Sequence, residues 1–334
     1  MCAQPASVSI DDIRAASARI AGRVLRTPMV PSAILQERTG ALVHLKLEHY
    51  QTTGSFKLRG ATNAVLSLTP AQRARGVVAA STGNHGRALA HAAKAEGAVA
   101  TICMSRLVPE NKVAEIRRLG AEVRIVGSSQ DEAQEEVDRL VAEKGMVMVP
   151  PFDDAAVIAG QGTLGLEIIE QLPQVATVLV PLSGGGLAAG VAAAVKGANP
   201  KAKVIGLTME RGAAMKASLD VGHPVQVEEL PSLADSLGGG IGLDNALTFA
   251  MCRDLLDDVL LLPEAEIAAG MRHAYAVERE IVEGAGAVGI AALLAGRIRF
   301  AGPVVAILSG RNVDMTLHRR IVNGATSVEE EVAA

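Results

Sequence analysis

Four short stretches of the chain combine residue types that chemistry can use. In Thr53-Gly54-Ser55-Phe56-Lys57-Leu58-Arg59-Gly60, a lysine sits among glycines, small hydroxyls and a phenylalanine, ahead of an apolar helical pattern that starts at Ala61. An amine enclosed there would lose its proton more readily than one in water and could form a Schiff base; a solvated surface lysine also fits these residues. Ser81-Thr82-Gly83-Asn84-His85-Gly86 reads as a strand–turn–helix junction. Its exposed backbone N–H groups suit an anion such as a carboxylate, although turn chemistry alone accounts for Asn84 and a helix start accounts for His85. Ser183-Gly184-Gly185-Gly186-Leu187-Ala188-Ala189-Gly190 lets a phosphate approach the backbone closely at the start of a helix. Gly184, Gly186 and Ala189 also satisfy the G-x-G-x-x-A dinucleotide pattern, and Glu210 falls roughly where a ribose-binding acid belongs. A nicotinamide dehydrogenase therefore competes at this point. In Leu308-Ser309-Gly310-Arg311-Asn312, the serine can exchange a hydrogen bond with a heterocyclic nitrogen, or the stretch is a plain turn.

Each stretch must be held by a regular element. Short apolar runs at residues 42–47, 77–80, 99–104, 123–126, 146–149, 178–182, 204–207 and 304–308 read as strands. Most contain no alternating polar residue, as expected of strands buried on both faces. Helical patterns separate them, for example at residues 87–96, 112–119 and 130–144. The alternation predicts an α/β protein with two open, parallel, twisted sheets flanked by helices, whose ligands bind at the C-terminal ends of the strands. All four stretches follow such strand ends. Strands cluster between residues 77 and 149, and Pro150-Pro151 marks a boundary. The expected division is a small domain at 51–151 and a large one made of 1–50 and 152–334. At the N-terminus, Ser9 caps a helix carrying Ile13, Ala16, Ile20 and Val24, which Thr27-Pro28 ends.

Composition narrows the partners. The chain has 334 residues, a net charge of −4, no Trp, two Tyr and four Phe, which argues against nucleic acid or a charged membrane surface. No apolar run is long enough to span a membrane, and the first residues lack the blocks of a signal peptide. Three scattered cysteines, Cys2, Cys103 and Cys252, have no metal-binding spacing and fit a reducing, cytoplasmic setting. The acidic tail from Thr326, which ends in two alanines, is expected to fray.

In this order and at these intervals, the four stretches resemble the fold-type II pyridoxal-phosphate (PLP) enzymes, the serine/threonine dehydratase and serine racemase group with its tryptophan synthase β-like fold. The likeness runs from about residue 5 to about 320. It implies that Lys57, beside Phe56, is the Schiff-base lysine, and that Asn84 contacts the cofactor's ring hydroxyl. It implies that Gly184, Gly185, Gly186 and Leu187 cradle the phosphate and that Ser309 faces the pyridine nitrogen. Ser81, Thr82, Asn84, His85 and Gly239 would face the substrate, and Glu283 would lie near the cofactor. A neutral serine at the pyridine nitrogen favours elimination. The implied reaction has Lys57 remove the α-proton of a 3-hydroxy amino acid, with loss of water and then ammonia to leave a 2-oxo acid.

Where racemases carry a serine base on the second face, this chain has Thr82, which ranks racemisation below elimination. Glu210 stands without the companion carboxylates of the racemase metal loop, so no metal is expected, and Lys216 could occupy that space. Arg311 and residues 235–242 most resemble the hydroxyectoine-utilisation dehydratases, implying a role in ectoine degradation. Arg311 would pair with an acidic substrate group or with a protein carboxylate. The resemblance also implies a homodimer.

Overall fold

The structure is a computed structural model that describes residues 7–81, 83–108 and 110–330. Cys2, Thr82 and the two closing alanines lie outside the described residues. Ser9 closes a capping box on the Ile10–Ile20 helix: its hydroxyl accepts from Asp12 N, and the Asp12 carboxylate accepts from Ser9 N. This helix is shorter than its apolar pattern. Arg23 N donates to Ile20 O and Gly22 turns at φ +74°, so the break precedes both Val24 and Thr27-Pro28.

The described residues form ten strands: β1 (Met29–Pro31), β2 (Val43–Lys46), β3 (Val77–Ala80), β4 (Ala100–Met104), β5 (Glu122–Ile125), β6 (Val147–Met148), β7 (Thr177–Pro181), β8 (Lys203–Met209), β9 (Asp258–Leu262) and β10 (Val304–Ile307). They make a six-stranded sheet, β1-β2-β10-β7-β8-β9, and a four-stranded sheet, β5-β4-β3-β6. The chain thus leaves the larger sheet after β2, builds the smaller one, and returns at β7.

All pairings are parallel except that of β1 with β2. The sequence reading missed β1 and β9. Three residues ending in Pro31 carry no strand signal, and a proline is tolerated there because β1 lies at the sheet edge. Five apolar-rich residues of β9 do not by themselves distinguish strand from helix; pairing with β8 decides. Burial on both faces holds for β4 and β7 and fails for β5, an edge strand whose Glu122 and Ile125 are exposed.

One helix, Ala155–Gln171, organises the site. It packs on the Lys57–Ser67 helix and on the Gly186–Ala198 helix. Small residues permit close backbone approach: a Cβ on Gly160 would lie 2.7 Å from Gly60 Cα, and one on Gly190 would lie 2.4 Å from Ile158 O. The Ala- and Gly-rich composition therefore sets the distance between the lysine's helix and the glycine loop's helix. Among the buried side chains is an ion cluster at the root of the lysine's helix. Arg59, 1% exposed, donates to both Glu48 oxygens (2.7 and 2.8 Å) and to Glu167 (2.7 Å), and Lys46 donates to Glu167 (2.6 Å). These pairs join β2, the turn after it, and two helices.

Candidate active site

The four stretches converge on one cavity of about 660 Å³. Its lining includes Phe56, Lys57, Ser81, Asn84, His85, Gly184, Gly185, Gly186, Leu187, Gly239, Glu283 and Ser309. Each loop follows the C-terminal end of a parallel strand or opens a helix there, where such sheets place ligands.

The Lys57 loop is zipped to the Ser309 loop. Ser55 and Gly310 form an antiparallel bridge, Phe56 N donates to Ser309 O (3.0 Å), and Arg311 N donates to Gly54 O (2.9 Å). The helix therefore begins at Lys57, four residues earlier than its pattern indicated. Lys57 Nζ donates to Pro151 O at 2.6 Å and lies 5.4 Å from the centre of the Phe56 ring. Burial makes the ammonium costly and pulls its pKa down to about 8. Burial, reinforced by the Lys57 charge, pulls His85 down to about 3, so its ring is neutral at neutral pH. His85 Nε2 meets Val149 O at 2.8 Å; a carbonyl only accepts, so Nε2 carries the proton and the buried Nδ1 is an acceptor with no partner among the described residues.

Glu283 is the N-cap residue of the Gly284–Ala295 helix, but its side chain makes no capping bond. Its carboxylate instead accepts from Asn84 Nδ2 (2.8 Å) and from Asn312 N (3.0 Å). Burial, then the neighbouring Asp235 charge, raises its pKa to about 7, against the pull of those donors. Ser309 is buried, with its hydroxyl 3.5 Å from Ala285 O. Ser81 Oγ accepts from Gly86 N at 3.1 Å, which shapes the turn before the Asn84–Ala95 helix.

The glycine turn has the form a phosphate requires. A Cβ on Gly184 would lie 2.3 Å from the Phe152 ring, and one on Gly186 would lie 2.9 Å from Phe152 Cα. Gly185 holds φ +90° as the N-cap of the Gly186–Ala198 helix, with no side chain supplying a capping bond. Backbone N–H groups at that helix start are thus left for a ligand anion. An enclosed lysine, a bare N–H cradle and a buried serine in the same lining fit PLP.

Glu210, Lys216 and Arg311 all lie outside the cavity lining. Glu210 is exposed and outside the cavity lining, which removes the acid that a dinucleotide site would need. Lys216 pairs with Asp220 one helical turn on, at 2.5 Å. Arg311 is exposed and outside the lining; its charge is felt by His49 and Tyr50, both bonded to Glu280. No group of three or more metal-ligating side chains gathers among the described residues. Cys103 and Cys252 are buried free thiols.

Among the lining residues to which the sequence reading gave no role in the site are Arg87, Pro151, Phe152 and Asn312. Pro150-Pro151 signalled only a boundary, although Pro151 supplies the carbonyl that holds Lys57 and Phe152 the wall behind the glycines. Asn312 was in view within its loop, but nothing local marks its contacts.

Comparison with known proteins agrees with this geometry. The profile of the family described as pyridoxal-phosphate dependent enzyme matches residues 20–310. A Sinorhizobium fredii protein whose name, threonine dehydratase, is provisional is 67% identical over 326 residues, covering 97% of this chain and 98% of its own. The L-threonine ammonia-lyase of Thermotoga maritima is 43% identical over 317 residues, 95% of this chain and 78% of its own. The structure of maize serine racemase superposes with a TM-score of 0.89 at 34% identity, covering 93% of this chain and 95% of that one. No helix among the described residues is long and apolar enough to cross a membrane. A profile spanning most of the chain and a relative at such identity, meeting the lysine, glycine turn and serine in one cavity, place the chain in the family of pyridoxal-phosphate dependent enzymes.

Proposed function

We propose that the chain is a PLP-dependent lyase that removes water and then ammonia from a 3-hydroxy amino acid of the threonine and serine type, leaving a 2-oxo acid. The observation that carries this reading is the convergence of Lys57, the Gly184–Gly186 turn, Asn84 and Ser309 on one cavity. The dehydratase and ammonia-lyase relatives support the reaction class.

When bound, PLP supplies the electron sink that acidifies the substrate α-carbon. Lys57, Asn84, Ser309, Phe56 and residues 184–187 would hold it. The chain's own residues do the rest. Lys57, its pKa pulled down to about 8 by burial, carries a larger neutral fraction near neutral pH than an ordinary lysine, and that neutral amine takes the α-proton. The start of the Asn84–Ala95 helix offers backbone N–H donors to the substrate carboxylate, beside a His85 ring that burial keeps neutral. Thr82, proposed to face the substrate, is outside the described residues. Gly239, at φ +93°, lines the same cavity and is the further residue we assign to the substrate side.

We assign 51–151 to a small domain carrying the carboxylate turn and 1–50 with 152–334 to a large domain carrying the phosphate turn. A homodimer in the cytoplasm is the setting we propose. The likeness of residues 235–242 to hydroxyectoine-utilisation dehydratases makes a hydroxylated intermediate of ectoine degradation the specific substrate to test. Racemisation is the second reading, favoured by the likeness to maize serine racemase.

The test is a panel of serine, threonine, both 3-hydroxyaspartates and hydroxylated diaminobutyrate derivatives, scored for 2-oxo acid, ammonia and enantiomer. Elimination yields 2-oxo acid and ammonia in equal amounts. Enantiomer exchange without ammonia would select the racemase instead. Lys57→Ala is expected to abolish the visible absorbance of the bound cofactor together with turnover; a coloured, active variant would refute the assignment of Lys57.

A further inference from the structure

Four contacts converge on Asn312. Its Nδ2 donates to Thr53 O (2.9 Å) and to Asn84 Oδ1 (2.6 Å). Its Oδ1 accepts from Arg87 Nη1 at 3.5 Å, and its backbone N donates to Glu283 at 3.0 Å. The side chain is also confined: a Cβ on Gly54, which holds φ +80°, would lie 2.6 Å from Asn312 Oδ1.

These contacts have a fixed direction. A peptide carbonyl only accepts and a guanidinium only donates, so Thr53 O must face the Asn312 NH₂ and Arg87 must face its oxygen. Asn84 must then turn its own oxygen toward Asn312, which sends its NH₂ to Glu283 at 2.8 Å. An amide NH₂ carries two hydrogens, and Glu283 takes one. The other remains for the cavity that Asn84 lines.

Glu283 alone would not hold that direction. Its carboxyl, raised to about 7 by burial and Asp235, gains a proton near neutrality and can then donate to an amide oxygen as well as accept from an NH₂. The two orientations of Asn84 are nearly isosteric, so shape does not choose between them. Asn312 does, because both of its own partners are single-natured.

We propose that Asn312 is a positioning residue that fixes the direction of the Asn84 amide, so that the site presents an N–H donor, not a carbonyl oxygen, to the ring oxygen of the bound cofactor. The proposal rests on the reading of Asn84 as the partner of the cofactor's ring hydroxyl. It explains why an asparagine of the Ser309 loop reaches across to the loops of Lys57 and Asn84: one carboxamide sets the polarity of the contact between them.

The test is competitive loading of the full chain. Wild type, Asn312→Ala, Asn312→Asp and Asn84→Ala are each equilibrated with a mixture of PLP and 3-deoxypyridoxal phosphate. The ratio bound is measured after denaturation, and thermal melts are run alongside. Wild type is expected to prefer PLP, and that preference should fall about tenfold in both Asn312 variants, the scale of one directed hydrogen bond to a charged oxygen. Asn84→Ala should lose as much, and combining it with Asn312→Ala should cost nothing further. Asn312→Asp keeps the size and the Arg87 contact but cannot donate. If it retains the wild-type preference, Asn312 only fills space and the proposal is overturned. If wild type itself shows no preference, the reading of Asn84 fails and the proposal falls with it; the two failures are told apart by the wild-type ratio.

Discussion

Replacing Gly184 with alanine tests whether the glycine turn is the phosphate cradle. The added Cβ would lie 2.3 Å from Phe152 Cδ1 and 2.5 Å from Cε1 and Cγ. Relaxed carbon contacts begin near 3.5 Å, so ring and turn must separate by roughly 1.2 Å, the difference between the two distances. Phe152 has little room to retreat. Gly186 packs on its backbone, the Pro151 carbonyl holds Lys57, and the Asp153 carboxylate accepts from Ala246, Leu247 and Thr248 N at 2.7 to 2.9 Å. The turn must therefore move toward the cavity, into the space the phosphate would take. Overpacking of this kind costs about 1–3 kcal/mol, and binding must work against it. At about 1.4 kcal/mol per factor of ten, cofactor affinity should fall between about fivefold and a hundredfold. Titration with PLP, followed by visible absorbance, measures this directly. Gly240→Ala is the control, since a Cβ there meets nothing within 4 Å. Gly184→Ala with wild-type affinity would show that the turn does not cradle the phosphate.

Three further outcomes follow from groups placed by the fold. In cofactor-free protein, an amine-selective reagent should modify Lys57 with a midpoint near pH 8; a midpoint at the ordinary lysine value would show that the amine is not enclosed. Glu48→Ala strands the buried Arg59 guanidinium with only part of its partners, at a cost of about 3–5 kcal/mol and a fall in Tm of about 5 °C for a chain of 334 residues. An unchanged Tm would mean that the cluster is not needed to seat the lysine's helix. For Glu283, the folded pKa of about 7 lies above the unfolded value near 4.5. The folded state thus holds the extra proton between those values, and stability contributed by this group is lost as pH rises through 7. Glu283→Gln removes that loss, so its Tm relative to wild type should rise between pH 5 and pH 8, whatever its constant offset; a gap independent of pH would contradict the raised pKa.

The lysine loop, the turn before Asn84, the glycine run and the Ser309 loop could be found in the sequence because each pairs a reactive or flexible residue type with a strand end. The parallel sheets were legible for a related reason: runs such as Val77–Ala80 and residues 178–182 are apolar throughout because helices cover both faces. Local pattern failed where a pairing partner decides the outcome. Met29–Pro31 is a strand only because Val43–Lys46 lies beside it, and the first helix stops at Ile20 because Gly22 turns the backbone while Val24 still matches the helical period.

By itself the sequence determined which side chains are available for chemistry and which strand ends carry them. Only the tertiary structure decided what surrounds them. Pro151 holds the Lys57 amine across 94 residues, Phe152 backs the glycines, and Asn312 joins Thr53 and Asn84 across more than 220. A proline after a strand, a lone phenylalanine and an asparagine in a turn have ordinary local explanations. Their roles arise from contacts between distant segments, because burial, hydrogen-bond direction and pKa depend on which groups the fold brings within a few ångströms of one another.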